Sequence, residues 1–245
     1  MSVPAGAPMP PAAAARSTDR HGPLPRLLLV LTVGTGLLDA VSYLKFGHVF
    51  VANMTGNAIF LGFAVAGASD VSVSVSLLAL VAFLAGALIG GRLGTRYGER
   101  RGRLLAAACA IESALVAAAL LVVAQRATDL DEAARNVVIV LLAVAMGVQN
   151  ATARKLGVPD LTTTVLTSTL SGLAADSRWA GGTSPRWSRR LAAVAAMLAG
   201  ALVGGFLVLR ISLAAALGAA TALLLVNGLV TRRLASPSAP WAGPP

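Results

Sequence analysis

The sequence predicts an all-α polytopic membrane protein with about six transmembrane helices, and three observations carry the prediction. Hydrophobic residues make up 56% of the 245-residue chain and charged residues only 12%, about half the charged share of a soluble domain. Eight apolar runs follow one another, most of them long enough for a helix to cross a hydrocarbon core. Basic residues fall between those runs in an uneven pattern, as topology signals do. So much apolar surface cannot be hidden in one globular core and still be covered by polar side chains. Soluble enzymes, secreted disulfide scaffolds and zinc-ribbon proteins are thereby excluded. The lone Cys109 lies inside an apolar run, and the two His residues are far apart. No disulfide, metal site or cofactor is expected. A net charge of +10 would suggest nucleic acid in a soluble protein. Here the Arg residues separate apolar runs, so the expected partner is the lipid bilayer and no nucleic acid.

Residues 1–25 are rich in Ala and Pro and are expected to form a disordered cytoplasmic leader. The run 27–44 has no Ala-x-Ala-like cleavage site at its end, so it reads as a retained first span. The run 46–69 is long enough to cross but is interrupted by Asn53-Met54-Thr55-Gly56-Asn57. Runs 71–91, 104–125 and 136–153 are ordinary spans. Run 161–175 is rich in Thr and has 15 residues, about 23 Å as a helix. Runs 191–209 and 211–231 complete a membrane domain over 26–232, and the Pro-rich 233–245 reads as a disordered tail.

An internal repeat accounts for the two odd runs. Ala82–Gly91 reads AFLAGALIGG and Ala196–Gly205 reads AMLAGALVGG, identical at eight of ten positions with an offset of 114. Asp39-Ala40 corresponds to Asn150-Ala151 at offset 111, Thr55 to Thr167 at 112, and Gly47 to Gly157 at 110. The near-equal offsets divide the chain into halves of about 26–125 and 135–232. If the two odd runs are re-entrant, six helices span, and 16 basic residues fall on the side of the N-terminus against 4 opposite (Lys45, Arg126, Arg135 and Arg210). If all eight runs span, the division is 11 against 9. The positive-inside rule favours six spans with both termini cytoplasmic. Three spans per half make the halves inverted 3+3 repeats, each with a broken or re-entrant polar segment, a plan that recurs in transporters and channels. Eight spans are the alternative.

The candidate pathway residues follow from the cost of polar groups in hydrocarbon. Asp39, in the first span, is a costly carboxylate expected to face protein or water; Asn150, beside Gln149, is its neutral counterpart. Asn53, Thr55, Gly56 and Asn57 can satisfy a broken helix or replace the hydration shell of a solute. Thr163, Thr164 and Thr167 supply hydroxyls in the second half. Glu112 is the other carboxylate deep in a span, able to pair, titrate or bind a partner helix. Lys45 and His48 read as interfacial anchors. Gly86, Gly90, Gly94, Gly200 and Gly204 have the spacing of close helix packing, at a repeat interface or in a homo-oligomer.

The run GLLDAVSYLKFGHVFVANMTGN, then GVQNATARKLG, then LTTTVLTSTLSGL, resembles the YoaK family of bacterial membrane proteins, over roughly 26–230. Asp39, Tyr43, Asn53, Thr55, Gly56, Asn57, Gln149, Asn150, Thr163, Thr164 and Thr167 lie on that family's motif positions. The second half has Thr167-Ser168 where the first has Thr55-Gly56. The resemblance implies a multi-pass protein of the bacterial cytoplasmic membrane and brings no established activity. The leading expectation is a small-solute transporter or channel with its site between the two broken segments, coupled to protons through Asp39 or Glu112. The alternative is a non-transporting assembly or stress-related interaction protein. An enzyme is not expected, because neither a nucleophile with a positioned base nor a cofactor loop can be assembled from these residues.

Overall fold

The structure is a computed structural model, and it describes residues 21–98, 100–126, 130–161, 166–183, 187–235 and Trp241. Eight α-helices are described: α1 (Leu24–Lys45), α2 (Met54–Val65), α3 (Val73–Tyr97), α4 (Arg101–Ala124), α5 (Glu132–Leu156), α6 (Leu166–Ala175), α7 (Trp187–Arg210) and α8 (Leu213–Leu234). A single 3-10 turn, Arg178–Ala180, lies between α6 and α7. No strand occurs among the described residues.

Six of these helices, all except α2 and α6, are long and apolar enough to cross a membrane. At 22 to 25 residues each reaches about 33–38 Å, against a hydrocarbon core of about 30 Å. The 12 residues of α2 and the 10 of α6 reach only about 18 and 15 Å, too short to cross. Six spans and two short helices are therefore what the six-span reading of the sequence expects. Side-chain oxygens start several helices: Ser72 accepts from Val75 N–H at 3.4 Å, Asp131 from Ala134 N–H at 2.8 Å and Ser212 from Ala215 N–H at 3.0 Å. Such caps satisfy donors that the first turn leaves unpaired. Outside the spans, the Asp131 carboxyl is held below its ordinary range by that N–H and by the Arg126 guanidinium.

The most extensive packing pairs are α3 with α5 and α1 with α7, followed by α4 with α8. Glycine makes the first two pairs close. A Cβ on Gly86 or Gly90 would strike the backbone of Val144 or Val148, and one on Gly200 or Gly204 would strike that of Val33 or Leu37. Gly36 and Gly147 face the backbones of Met197 and Phe83 in the same way. These glycines are thus consumed inside the chain. Leu28, Leu38, Leu104, Ile139, Leu142 and Met146 fill the core between the helices. Leu84, Leu88, Leu198, Leu202, Phe206 and Leu209 are exposed on the outside of the bundle, an arrangement suited to lipid rather than water.

One end of the bundle collects the start of α1, the α3–α4 turn and the ends of α5 and α8. Arg101 donates to the Leu156 carbonyl at 2.5 Å and lies 3.1 Å from His21 Nδ1. Trp241 packs over Gly22 and Gly102 and is buried. Its indole covers glycines that leave room for it. Lys155 lies against Gly94 and Gly98 at this end. Lys45, Arg126, Arg135 and Arg210 lie at the other end.

Candidate functional site

The site grows out of the way α1 ends. The Phe46 N–H still bonds to the Ser42 carbonyl at 2.9 Å, but Gly47 and His48 then take left-handed angles, with φ of 86° and 58°. A residue without Cβ suits the first of these positions. The chain turns back on itself: Val51 N–H and Ala52 N–H donate to Asp39 Oδ1 at 3.0 and 2.8 Å. Asp39 lies six residues before the end of α1, so the returning segment has re-entered by about 9 Å. Its unpaired backbone donors, which would be costly in hydrocarbon, are satisfied by that carboxylate. Phe46, Val49, Val51 and Ala52 are buried, so the returning segment is packed into protein.

Asn57 holds the same loop from the other side. Its Nδ2 donates to the Phe50 carbonyl at 2.6 Å, and its Oδ1 accepts from Phe50 N–H at 2.9 Å. It is 0% exposed, and its amide supplies the bonds that a neighbouring strand would otherwise make. Asn53 caps α2 by accepting from Gly56 N–H at 3.4 Å. A Cβ on Gly56 would press into the Phe50 ring, which explains a glycine in the first turn of α2. Tyr43 stacks on Phe50 with centroids 5.1 Å apart, Phe50 stacks on Phe60 at 5.8 Å, and His48 meets Tyr43 edge-on at 5.0 Å.

The second break is built differently. α5 closes on Gly157, with φ of 62° and its N–H bonded to Ala153. Val158 and Leu161 are buried beyond it. Arg190, in the first turn of α7, donates to Asp160 Oδ1 at 3.0 Å, to Asp176 Oδ2 at 2.6 Å and to the Gly172 carbonyl at 2.5 Å. One guanidinium thereby ties both flanks of α6 to α7. Thr163 and Thr164 lie outside the described residues.

Between the two breaks lies a cavity of about 870 Å³. From the first half it is lined by Asp39, Tyr43, Asn53, Thr55 and Gly56, and from the second by Asn150 and Thr167. Both short helices present their first turns to it, through Met54 and Leu166. Phe50, Phe83 and Met197 form apolar walls, while Ala201 and Gly205 continue the Met197 face of α7 at helical spacing. Asn150 stands six residues before the end of α5, as Asp39 does before the end of α1. The cavity is bordered by α1, α3, α5 and α7 as well as the two short helices, with no described residue of α4 or α8 in its lining.

Three candidates lie elsewhere. Asn57 is spent on Phe50, as described. Gln149 donates to Thr35 Oγ1 at 2.7 Å, joining α5 to α1 inside the core. Glu112, 0% exposed, has no hydrogen-bond partner on either carboxyl oxygen. It lies one turn along α4 from Cys109, whose sulfur is 3.7 Å from Asn227 Nδ2. Among the described residues, no three His, Cys, Asp or Glu side chains gather as a metal site requires. Sequence reasoning missed Phe50, Phe83 and Met197, which carry no signal in an apolar chain. It also missed the Arg190 ion pairs. Two of the chain's ten acidic residues, Asp160 and Asp176, flank the short Thr-rich run, and that placement was the available signal.

A family model described as "Protein of unknown function (DUF1275)" matches residues 27–230. The chain is similar to the UPF0700 transmembrane protein YoaK of Bacillus subtilis (strain 168), with 36% identity over 150 residues. That match covers 61% of this chain and 65% of the relative, so the chain spans just under two thirds of the relative's length. No solved structure matches.

Proposed function

The chain belongs to the DUF1275 family, and from the six apolar spans together with the cavity we propose that it is a small-solute transporter or channel of the bacterial cytoplasmic membrane. The carrying observation is one cavity of about 870 Å³ lined from both halves by polar side chains of both breaks. Asp39 and Asn53 secure the first break, yet they, Thr55, Asn150 and Thr167 all border common space at membrane depth, where a polar lining suits water or a solute. We take the Arg-rich end as cytoplasmic, with both termini on that side, because 16 of the 20 basic residues fall there on the six-span reading. The protein has no catalytic role in this reading.

We further read the halves as inverted repeats. Gly200 and Gly204 correspond to Gly86 and Gly90 at offset 114, while Val144 and Val148 correspond to Val33 and Leu37 at offset 111. Each glycine pair rests on the other half's counterpart of the residues that its own counterpart touches. Exchange of the halves thus leaves the contacts unchanged, as a two-fold axis in the membrane plane requires. The interaction-protein reading draws support from Asn57 alone, whose amide is wholly spent on the loop.

The test is thiol accessibility in a Cys109→Ala background. Thr55→Cys and Thr167→Cys would be treated with a membrane-impermeant maleimide in right-side-out and inside-out vesicles. Transport predicts that each reacts, from at least one side, in folded protein. If neither reacts from either side while a cysteine on the exposed α3–α4 turn does, the cavity is dry and transport is wrong.

A further inference from the structure

Resting on the transport reading of the same cavity, we propose that its occupant is a monovalent organic cation: an amine whose ammonium lies at Asp39 and whose apolar or aromatic body lies against Tyr43, Phe50, Phe83 and Met197.

The charge of the lining comes first. Asp39 is the one formally charged side chain among the described residues that line the cavity; no Lys, Arg or His does so. Lys45 ends α1 and His48 lies against the edge of Tyr43, and both stand outside the lining. An anionic solute would meet a carboxylate in a medium of low dielectric with no side-chain cation to offset it. The start of α2 carries a partial positive charge, but the Asn53 side-chain oxygen already takes the Gly56 N–H of its first turn, while the N–H groups of Val51 and Ala52, just ahead of the helix, point to Asp39. These hydrogen bonds orient the carboxylate without supplying a counter-charge. An ammonium supplies it; a neutral solute leaves the membrane-buried charge unpaired.

The walls specify the rest of the molecule. Tyr43 and Phe50, stacked on each other, both border the cavity, and aromatic rings attract cations and pack against flat apolar bodies. Phe83 comes from α3 and Met197 from α7, the latter a polarizable, adaptable contact for an aromatic ring. Beyond them, Asn53, Thr55, Asn150 and Thr167 give neutral donors and acceptors at both ends of the space. A cavity of about 870 Å³ falls within the usual range of small-molecule sites, about 300–1,000 Å³. A bare metal ion would leave most of it empty, and would also need several converging oxygens, whereas Asp39 Oδ1 already accepts two N–H groups.

The experiment uses the full chain in proteoliposomes, as Cys109→Ala/Thr55→Cys, and follows maleimide labelling of Cys at that one position. Three competitors of similar shape are compared: phenethylammonium, 2-phenylethanol and 3-phenylpropanoate. The proposal predicts that phenethylammonium at about ten times its Kd slows labelling about tenfold, because an occupied site is closed to the reagent, and that the alcohol and the carboxylate leave the rate unchanged. Asp39→Asn keeps an oxygen for Val51 and Ala52 N–H but removes the charge. It should label at the unprotected rate and lose the amine's effect. Tyr43→Leu, a second variant that spares the loop's hydrogen bonds, should weaken protection by phenethylammonium. Glu112→Gln, outside the cavity, should keep it in full. Equal protection by the alcohol or the carboxylate overturns the proposal, as does persistence of amine protection in Asp39→Asn. Full reactivity with no amine protection overturns the occupant alone. Absence of any labelling in the unliganded protein overturns the transport reading with it.

Discussion

At the first break, between α1 and α2, the chain is held by side-chain oxygens and an amide bonded to backbone: Asp39 to Val51 and Ala52, Asn57 to Phe50. At the second, between α5 and α6, a guanidinium reaches back from α7 to Asp160, Gly172 and Asp176. Both breaks follow a glycine with positive φ, Gly47 in one and Gly157 in the other. Both lead to a helix too short to cross and deliver that helix's first turn to the same cavity. The backbone plan is shared while the side chains that secure it are not. A loop returning into hydrocarbon must have its donors satisfied; at the first break the Asp39 carboxylate does so, whereas at the second the Arg190 guanidinium joins the flanks of α6 to α7. The difference also decides what each half gives the cavity. The first supplies a charge and an aromatic wall; the second supplies neutral hydroxyl and amide groups.

Substitutions can break this contrast. The largest effect is expected for Asp39→Ala, which leaves the N–H groups of Val51 and Ala52 without an acceptor in a buried segment. Each such group costs about 1–3 kcal/mol, so thermal unfolding in detergent should drop markedly, while Asp39→Asn should lose much less. If both variants unfold together, charge rather than the acceptor holds the loop, and the comparison is wrong. A smaller loss, about 1–3 kcal/mol in all, is expected for Asn57→Ala, because Phe50 is only partly buried and water can replace some of its bonds. The second break should respond locally: Arg190→Ala should speed protease cleavage between Leu161 and Trp187 without changing thiol labelling at Thr55→Cys. Equal loosening at both positions would mean that the breaks are one cooperative unit.

The bundle was largely legible in the sequence, because a run of about 20 apolar residues has few other uses and basic residues mark its ends. The breaks were legible too, since Asn53–Asn57 and the short Thr-rich run have no place in a packing helix. The roles inside the breaks were not. Asn57 and Asn53 carry the same chemistry in the sequence, yet one is sealed against Phe50 and the other lines the cavity; only the turn at Gly47 and His48 decides which. Phe83 and Met197 were invisible because an apolar residue in such a chain can face lipid, core or solute with equal ease. Arg190 resembled its many Arg neighbours, and only the fold brings Asp160 and Asp176 to it. Trp241 escaped because the glycines beneath it are remote in sequence.

The central claim is that the two breaks face one shared space. Its most direct test is the stoichiometry of labelling in Cys109→Ala/Thr55→Cys/Thr167→Cys with a bulky maleimide, read by intact mass. A shared cavity predicts that the first adduct blocks the second, so one label per chain dominates although each single-cysteine variant reacts. Two labels per chain, added at the independent rates of the single variants, would contradict it.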